Sequence, residues 1–146
     1  MKAAIAKMKG ETTKQSVRLV IVDDHEIFRT GVRRVLQSDG HWEICGEAST
    51  GDEAVRLAQE LKPEVIVMDV SMPGTNGIQA TRSILSALPG TKILLLTWHT
   101  SKELVRSGFA AGASGYLLKS DAGRDLIEAL QTIVGGTTYV SASIGM

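Results

Sequence analysis

The chain of 146 residues weighs 15.6 kDa, which is the size of one ordinary domain. Apolar residues make up 43% and charged residues 22%, so the composition excludes a chain that is disordered throughout. The single cysteine, Cys45, excludes an internal disulfide and a zinc site built on cysteines. The longest apolar runs have four residues, whereas a transmembrane helix needs roughly 20. No signal peptide opens the chain, and we expect a cytoplasmic protein without a membrane partner.

Charge is balanced over the whole chain but not along it. The 16 basic and 16 acidic residues give a formal net charge of zero. Residues 1–16 hold four lysines and one glutamate, or +3, which leaves 12 basic and 15 acidic residues, or −3, for the remainder. A domain with net negative charge is a poor partner for nucleic acid, so we expect no DNA binding by these 146 residues. We interpret residues 1–16 as a flexible basic N-terminal extension.

From residue 17 onwards, short apolar runs alternate with helical patterns. The runs predict five strands, at Val17–Val22, Trp42–Ala48, Val65–Met68, Ile93–Leu96 and Gly115–Leu118. Most of these runs are continuous rather than alternating, which is typical of strands buried on both faces. The sequence therefore predicts a parallel sheet with helices on both sides.

Five amphipathic helices separate and follow these strands. Their apolar stripes lie at Phe28–Leu36, Ala54–Leu61, Ile78–Leu88, Leu104–Ala111 and Leu126–Val134. Thr50 or Asp52 suits the N-cap of the second helix, and Asn76 suits that of the third. The last helix ends at Gly135-Gly136. We therefore assign 17–136 to one domain and 137–146 to the start of a linker or a C-terminal tail.

Polar residues follow four of the five predicted strands. Asp23 and Asp24 follow the first strand, Asp69 the third, Thr97 closes the fourth and Lys119 follows the fifth. Ligands of an open parallel sheet bind at the carboxyl ends of its strands. Three close carboxylates repel one another unless a cation lies among them, and Mg²⁺ prefers oxygen ligands. A carboxylate beside Mg²⁺, an ammonium and a hydroxyl suits phosphoryl transfer, in which Asp69 attacks phosphorus and becomes an acyl phosphate.

These residues stand within four motifs that carry a family resemblance. The motifs are Val20-Ile21-Val22-Asp23-Asp24-His25, Val67-Met68-Asp69-Val70-Ser71-Met72-Pro73-Gly74, Leu96-Thr97 and Gly115-Tyr116-Leu117-Leu118-Lys119. Together they resemble a response-regulator receiver domain of the NarL/FixJ subfamily, over about residues 17–140. The resemblance implies an α/β fold of the flavodoxin-like, CheY-like kind. That fold is a doubly wound, five-stranded parallel sheet of order 2-1-3-4-5 with five helices on two faces.

The resemblance also implies a role for each site residue. Asp69 is the phosphoacceptor, and Lys119 and Thr97 assist it. The implied Mg²⁺ ligands are Asp24 and Asp69 directly, Asp23 largely through water, and the backbone carbonyl of Ser71. Thr97 and Tyr116 match the family's switch pair, and we expect Tyr116 to rotate inward as Thr97 moves towards phosphorus. Such a domain is a signalling switch rather than an enzyme acting on a separate substrate.

Partners follow from the same resemblance. It implies a sensor histidine kinase as phosphodonor and a second copy of the chain as a dimer partner on phosphorylation. The dimer surfaces expected are the first and last helices, or the fourth helix with the fifth strand. DNA is expected only through a C-terminal helix-turn-helix domain that these 146 residues lack. We favour a truncated chain that controls transcription through that output domain, with a stand-alone receiver as the alternative.

Two other classes of function use a similar sheet. A haloacid-dehalogenase-type phosphatase also has a strand-end aspartate and Mg²⁺, but it needs a second aspartate where this chain has Ser71. A flavodoxin-like cofactor binder needs a glycine-rich phosphate loop, and no Gly-x-Gly-x-x-Gly follows the first strand. Both are less favoured than the phosphorylated switch.

Overall fold

The structure, a computed structural model, describes residues 16–145. The predicted extension 1–16 therefore lies outside the described residues, apart from Ser16. Six strands and five α-helices alternate: β1 (Val17–Val22), α1 (Glu26–Asp39), β2 (Trp42–Ala48), α2 (Gly51–Leu61), β3 (Val65–Asp69), α3 (Gly77–Ala87), β4 (Lys92–Thr97), α4 (Lys102–Ala110), β5 (Gly115–Leu118), α5 (Ala122–Val134) and β6 (Tyr139–Val140). Short 3-10 helices lie at Lys119–Asp121 and Ala142–Ile144.

All strand pairs are parallel, in the order β2-β1-β3-β4-β5-β6. This confirms the predicted order 2-1-3-4-5 for the first five strands. The order reverses at β1, which pairs with β2 on one side and with β3 on the other. The carboxyl ends of β1 and β3 therefore lie side by side at the switch point, where doubly wound folds bind their ligands.

Helices cover both faces of the sheet, as predicted. Successive strand residues point to opposite faces, so Leu19 and Ile21 join one apolar cluster while Val20 and Val22 join the other. Helices α1 and α5 pack on the first cluster, and we call this the α1–α5 face. Helices α2, α3 and α4 pack on the second, which we call the α2–α4 face. Within residues 16–145, no helix is long and apolar enough to cross a membrane.

Side-chain caps fix where three helices begin. The Thr50 hydroxyl accepts a hydrogen bond from the Glu53 N–H, and Asn76 forms a reciprocal capping box at the start of α3. Ser101 caps α4 by accepting from the Leu104 N–H at 3.2 Å. Helix α4 therefore begins at Lys102, two residues before the predicted Leu104, because the cap rather than the first apolar residue sets its start.

Regular structure continues past residue 136 into the segment 137–146, which the sequence suggested as the start of a linker or a C-terminal tail. Tyr139 and Val140 form β6, a parallel edge strand paired with Gly115 and Tyr116 of β5. The buried Ser141 hydroxyl accepts a hydrogen bond from the Leu118 N–H at 2.8 Å. An exposed edge leaves backbone groups of β5 unpaired, and this segment satisfies them.

Candidate functional site

Three carboxylates meet where β1 and β3 end. Asp23 and Asp24 follow β1, and Asp69 is the last residue of β3. One ligand atom from each of these residues and one from His25 all lie within 4.8 Å of one another. Asp23 and Asp69 are buried, whereas Asp24 and His25 are exposed. The structure thus gathers the three predicted acidic residues at one edge of the sheet.

Lys119 lies among these acids with its side chain fully buried. Its Nζ is 2.6 Å from Asp23 Oδ2 and 3.2 Å from Asp69 Oδ2. Among the described residues, Lys119 Nζ and Asp23 Oδ2 have no partner aligned for a hydrogen bond, so their contact is that of an ion pair. The Lys119 ammonium is thus paired with two buried carboxylates at once.

Burial sets the protonation of Asp69. Burial raises the pKa of the Asp69 carboxyl above its ordinary value, and the negative charge of Asp23 raises it further. The Lys119 ammonium and the Ser71 N–H, which donates to Asp69 Oδ1 at 3.1 Å, lower the pKa in part. A cation beside the carboxyl would favour the ionised form, which is the nucleophile.

The loop after β1 is fixed by hydrogen bonds that do not involve Asp69. The His25 main-chain N–H donates to Asp23 Oδ1 at 2.8 Å. The Arg29 guanidinium donates to the Asp23 carbonyl oxygen at 2.5 Å and to Glu47 Oε1 at 3.2 Å. Arg33 donates to the other oxygen of Glu47. This network ties the acidic loop to α1 and β2, and it holds the Asp23 carboxylate in place.

Thr97 and Ser71 lie beside Asp69, as their positions in the sequence suggest. Asp69 pairs with Leu96 of β4, and Thr97 is the next residue of that strand. Its Oγ1 accepts a hydrogen bond from the His99 N–H at 3.1 Å. Thr97 is buried and Ser71 is exposed. The Ser71 carbonyl as a metal ligand, and the roles assigned to Thr97 and Lys119, stay predictions.

Tyr116 already points inward in this structure, with 0% of its surface exposed. Its ring packs against Gly108 of α4, where an added Cβ would lie only 2.8 Å from ring atom Cε2. The Tyr116 hydroxyl finds no hydrogen-bond partner within residues 16–145. Burial, with a smaller effect from the charge of Asp69, raises the pKa of Tyr116 to about 12. The ring of Tyr116 is thus already in the inward position that we expected it to reach by rotation.

Two aromatic residues near Lys119 were not assigned to the site from the sequence. Lys119 Nζ lies 4.5 Å from the ring centroid of Phe28 and 5.7 Å from that of Trp98. The two rings meet edge to face, with centroids 6.1 Å apart. A cation over aromatic faces is attracted to them. Phe28 lies in the first turn of α1, which begins two residues after Asp24.

The donor atoms suit a hard divalent cation. Three carboxylates offer oxygen ligands, and their mutual repulsion falls when a cation binds between them. Asp24 is exposed and open to a hydrated ion, while Asp23 and Asp69 are shared with Lys119. Mg²⁺ keeps several waters and takes one or two carboxylates, so the residues present fit it.

Comparison with known proteins places this site in a family. The model of the response regulator receiver domain matches residues 19–131. The transcriptional regulatory protein DegU of Brevibacillus brevis is 36% identical over 94% of this chain and 58% of its own length. The response regulator UvrY of Escherichia coli K12 is 38% identical over 88% of this chain and 59% of its own. The chain thus spans about three fifths of the length of these relatives.

Solved structures agree with this assignment. A LuxR-family two-component response regulator from Aurantimonas sp. SI85-9A1 has a TM-score of 0.85 at 37% identity, covering 89% of this chain and 93% of that one. The receiver domain of the response regulator NarL from Mycobacterium tuberculosis has a TM-score of 0.79 at 35% identity, covering 84% and 98%. Both likenesses extend to most of the residues described above.

Proposed function

The chain belongs to the response regulator receiver family, of the NarL/LuxR type, and from this premise we propose that Asp69 accepts a phosphoryl group from a sensor histidine kinase. The phosphorylated domain then changes its surface and controls a transcriptional output domain that lies outside these 146 residues. The relatives are named as transcriptional and response regulators, and they are longer than this chain. We also propose a cytoplasmic location, where such a kinase domain and DNA are both accessible.

One observation carries the proposal: a buried carboxylate, Asp69, is paired with a buried ammonium, Lys119, beside two further carboxylates. An ion pair with a purely structural role does not need the further carboxylates of Asp23 and Asp24, because each of them adds electrostatic repulsion. The surplus of negative charge suits a site completed by a cation and a phosphoryl group. In a stand-alone receiver the same chemistry would hold without the output domain.

The residues act in a defined order during transfer. An Asp69 oxygen attacks phosphorus and forms a P–O bond, while the bond from phosphorus to the kinase histidine nitrogen breaks and its electron pair stays on nitrogen. Lys119 turns from Asp23 and Asp69 towards a phosphoryl oxygen, and the Thr97 hydroxyl donates to another. Asp24, Asp69 and the Ser71 carbonyl would hold Mg²⁺ directly and Asp23 largely through water, and the ion would supply positive charge to the phosphoryl oxygens.

The free energy of the switch needs more than one contact. Moving a two-state equilibrium from about 1:99 to 99:1 takes roughly 5.5 kcal/mol. One hydrogen bond to a charged group supplies about 1.5–3 kcal/mol. Thr97 therefore does not suffice, and Lys119 must also bind the phosphoryl group better in the active state than in the resting one.

Dimerisation on phosphorylation is the second part of the proposal. An apolar groove of about 270 Å³ lies between α1 and α5 beside Lys119, and Ile27 at its rim is 89% exposed. A related receiver, RcsB, has a solved structure described as two dimers bound to two parallel DNAs. The groove favours the α1–α5 face over the fourth helix and fifth strand as the dimer surface.

A small-molecule phosphodonor tests the proposed function. With Mg²⁺, acetyl phosphate should place one acid-labile phosphoryl group on each wild-type chain and none on Asp69→Ala. A phosphatase would instead turn over phosphate esters repeatedly without retaining the group. Stoichiometric labelling of Asp69→Ala, or multiple turnover by the wild type, would contradict the proposal.

Removing Asp24 tests the metal separately. Asp24→Ala should lose Mg²⁺ binding in calorimetry and lose phosphorylation, while the fold stays intact because repulsion among the acids falls. Unchanged Mg²⁺ binding by Asp24→Ala would show that the ion does not lie in this cluster.

A further inference from the structure

The acidic cluster includes a nitrogen donor, the imidazole of His25. His25 stands between the acidic pair and α1, which begins at Glu26. Its Nδ1 lies 3.1 Å from Asp23 Oδ1 and 3.3 Å from Asp24 Oδ1. One ring nitrogen thus faces carboxylate oxygens from two residues at once. The side chain is 61% exposed, so solvent and ions reach the ring directly.

The shorter of these separations is that of a hydrogen bond between the imidazole and Asp23 Oδ1, and both separations also fit neighbouring ligands on one metal ion. With metal–ligand distances of about 2.1 Å, two adjacent ligands of an octahedral ion lie roughly 3 Å apart. The two measured N–O distances are within a few tenths of that value. His25 Nδ1 therefore lies at the spacing of an adjacent ligand from one oxygen of Asp23 and from one oxygen of Asp24, and all four donor atoms of the cluster lie within 4.8 Å of one another.

The chemistry of the nitrogen decides which ion gains from it. Mg²⁺ prefers oxygen ligands, whereas imidazole suits first-row transition ions, whose affinities for a nitrogen site rise from Mn²⁺ towards Cu²⁺. We propose that His25 is a metal ligand which makes this site bind a divalent transition ion more tightly than Mg²⁺. This inference rests on the proposed metal site of the receiver domain and adds its ion preference.

A competing explanation is that the imidazole only orients the carboxylates. The loop already has other supports, because the His25 main-chain N–H and the Arg29 guanidinium both hold Asp23. A merely orienting ring would also strengthen the binding of every ion alike. A ligand strengthens the binding of transition ions and leaves Mg²⁺ nearly unaffected, so the ratio of the two affinities separates the explanations.

The test is calorimetric titration of the purified chain with Co²⁺ and, separately, with Mg²⁺. His25→Ala should weaken Co²⁺ binding by at least the roughly tenfold that loss of an outer-shell partner costs a metal site. Mg²⁺ binding should stay nearly unchanged. The matched control is His99→Ala, since His99 is exposed near the same site but is not a member of the donor cluster. It should change neither affinity.

A second measurement needs no variant at histidine. Pulsed electron paramagnetic resonance of the Mn²⁺-bound wild type should show coupling to a nitrogen nucleus. Equal weakening of Co²⁺ and Mg²⁺ by His25→Ala, no weakening of either, or no nitrogen coupling would each overturn the role of His25. If the wild type bound neither ion, the proposed metal site itself would fail. If it bound Mg²⁺ but lacked the His25-dependent preference, only this inference would fail.

Discussion

The two faces of the sheet reach the acidic cluster by different physical means. On the α1–α5 face the connection is electrostatic, and we call it the charge link. The Lys119 ammonium lies between two carboxylates and the ring of Phe28. On the α2–α4 face the connection is steric packing, which we call the volume link. The ring of Tyr116 fills the space beside Gly108, which has no Cβ, and the Tyr116 hydroxyl has no hydrogen-bond partner within the described residues. Both residues come from β5 or the turn directly after it.

This difference indicates how each face responds to a change at Asp69. The Lys119 ammonium interacts with two carboxylates through its charge, so the α1–α5 face should respond to a change of charge at Asp69. A buried ring in a close-packed site responds only when the backbone or a neighbour moves, because packed interiors do not deform continuously. Charge changes should therefore affect the first link, and changes of side-chain volume the second.

The largest effect should come from removing the charge link. Lys119→Met leaves Asp23 and Asp69 buried without their cation, and breaking such a pair costs about 3–5 kcal/mol. The free energy of unfolding in denaturant, without metal, should fall by about that amount. The loss should be smaller at low pH, where Asp69 can neutralise, and smaller with Mg²⁺. The surface control Lys102→Met should stay within about 0.5 kcal/mol of wild type, and an equal loss there would contradict the charge link.

A substitution at Gly108 should disturb the packing of the Tyr116 ring. Gly108→Ala overpacks the site against Tyr116 and should cost about 1–3 kcal/mol of stability. Gly31→Ala in α1 is the control, since nothing lies within 4 Å of its added Cβ, and it should gain up to about 1 kcal/mol.

A double-mutant cycle shows whether the Tyr116 ring is the cause. In a Tyr116→Ala background, Gly108→Ala should cost much less than in wild type. The Leu95 methyl group, 2.9 Å from the same added Cβ, ends a flexible side chain and should yield. An undiminished cost in that background would assign the clash to Leu95 instead.

The raised pKa of Asp69 predicts a pH dependence of stability. A carboxyl whose pKa is higher in the folded state stabilises the fold while protonated, and this stabilisation is lost as pH rises through the folded pKa. Metal-free wild type should therefore lose up to about 1.4 kcal/mol for each unit by which the pKa is raised. Asp69→Asn should flatten this part of the profile, whereas the exposed Glu60→Gln should leave it unchanged. An identical profile for Asp69→Asn would show that another group titrates there.

The smallest effect expected is that of the aromatic contact. Phe28→Leu keeps an apolar side chain but removes the ring over Lys119, and the stability should fall by about 0.5–2 kcal/mol. In a Lys119→Met background the same substitution should cost less, because the cation is gone. An equal loss of stability in the two backgrounds would show that Phe28 contributes only ordinary apolar packing.

The sequence predicted that Asp23, Asp24, Asp69 and Lys119 would meet, because these residues stand at the ends of apolar runs. A strand that ends in Asp69 or is followed by Asp23 must deliver that residue to the carboxyl edge, and the strict alternation of strands and helices fixes which edge. The Asn76 cap was also predicted, and of the two residues proposed to cap the second helix, Thr50 and Asp52, it is Thr50 that does so.

What escaped prediction depends on contacts between distant parts of the chain. β6 forms because β5 has an open edge, which no pattern within Tyr139–Val140 reveals. The burial of Tyr116 depends on a missing Cβ at Gly108, on another element. The contact of Phe28 with Lys119 depends on how α1 rotates on the sheet, and periodicity defines only the buried stripe.

Trp98 fluorescence in a Trp42→Phe background tests most directly whether phosphorylation of Asp69 changes the surface of the domain. Trp98 follows Thr97, is 57% exposed and contacts Phe28, so its emission reports on the site. Beryllofluoride with Mg²⁺, a phosphoryl mimic, should shift the emission of the parent protein. Thr97→Ala should still accept phosphate from acetyl phosphate, because Asp69 and the metal ligands remain, yet lose most of the fluorescence shift. A Thr97→Ala variant that accepted phosphate and shifted as fully as the parent would contradict the coupling between site and surface.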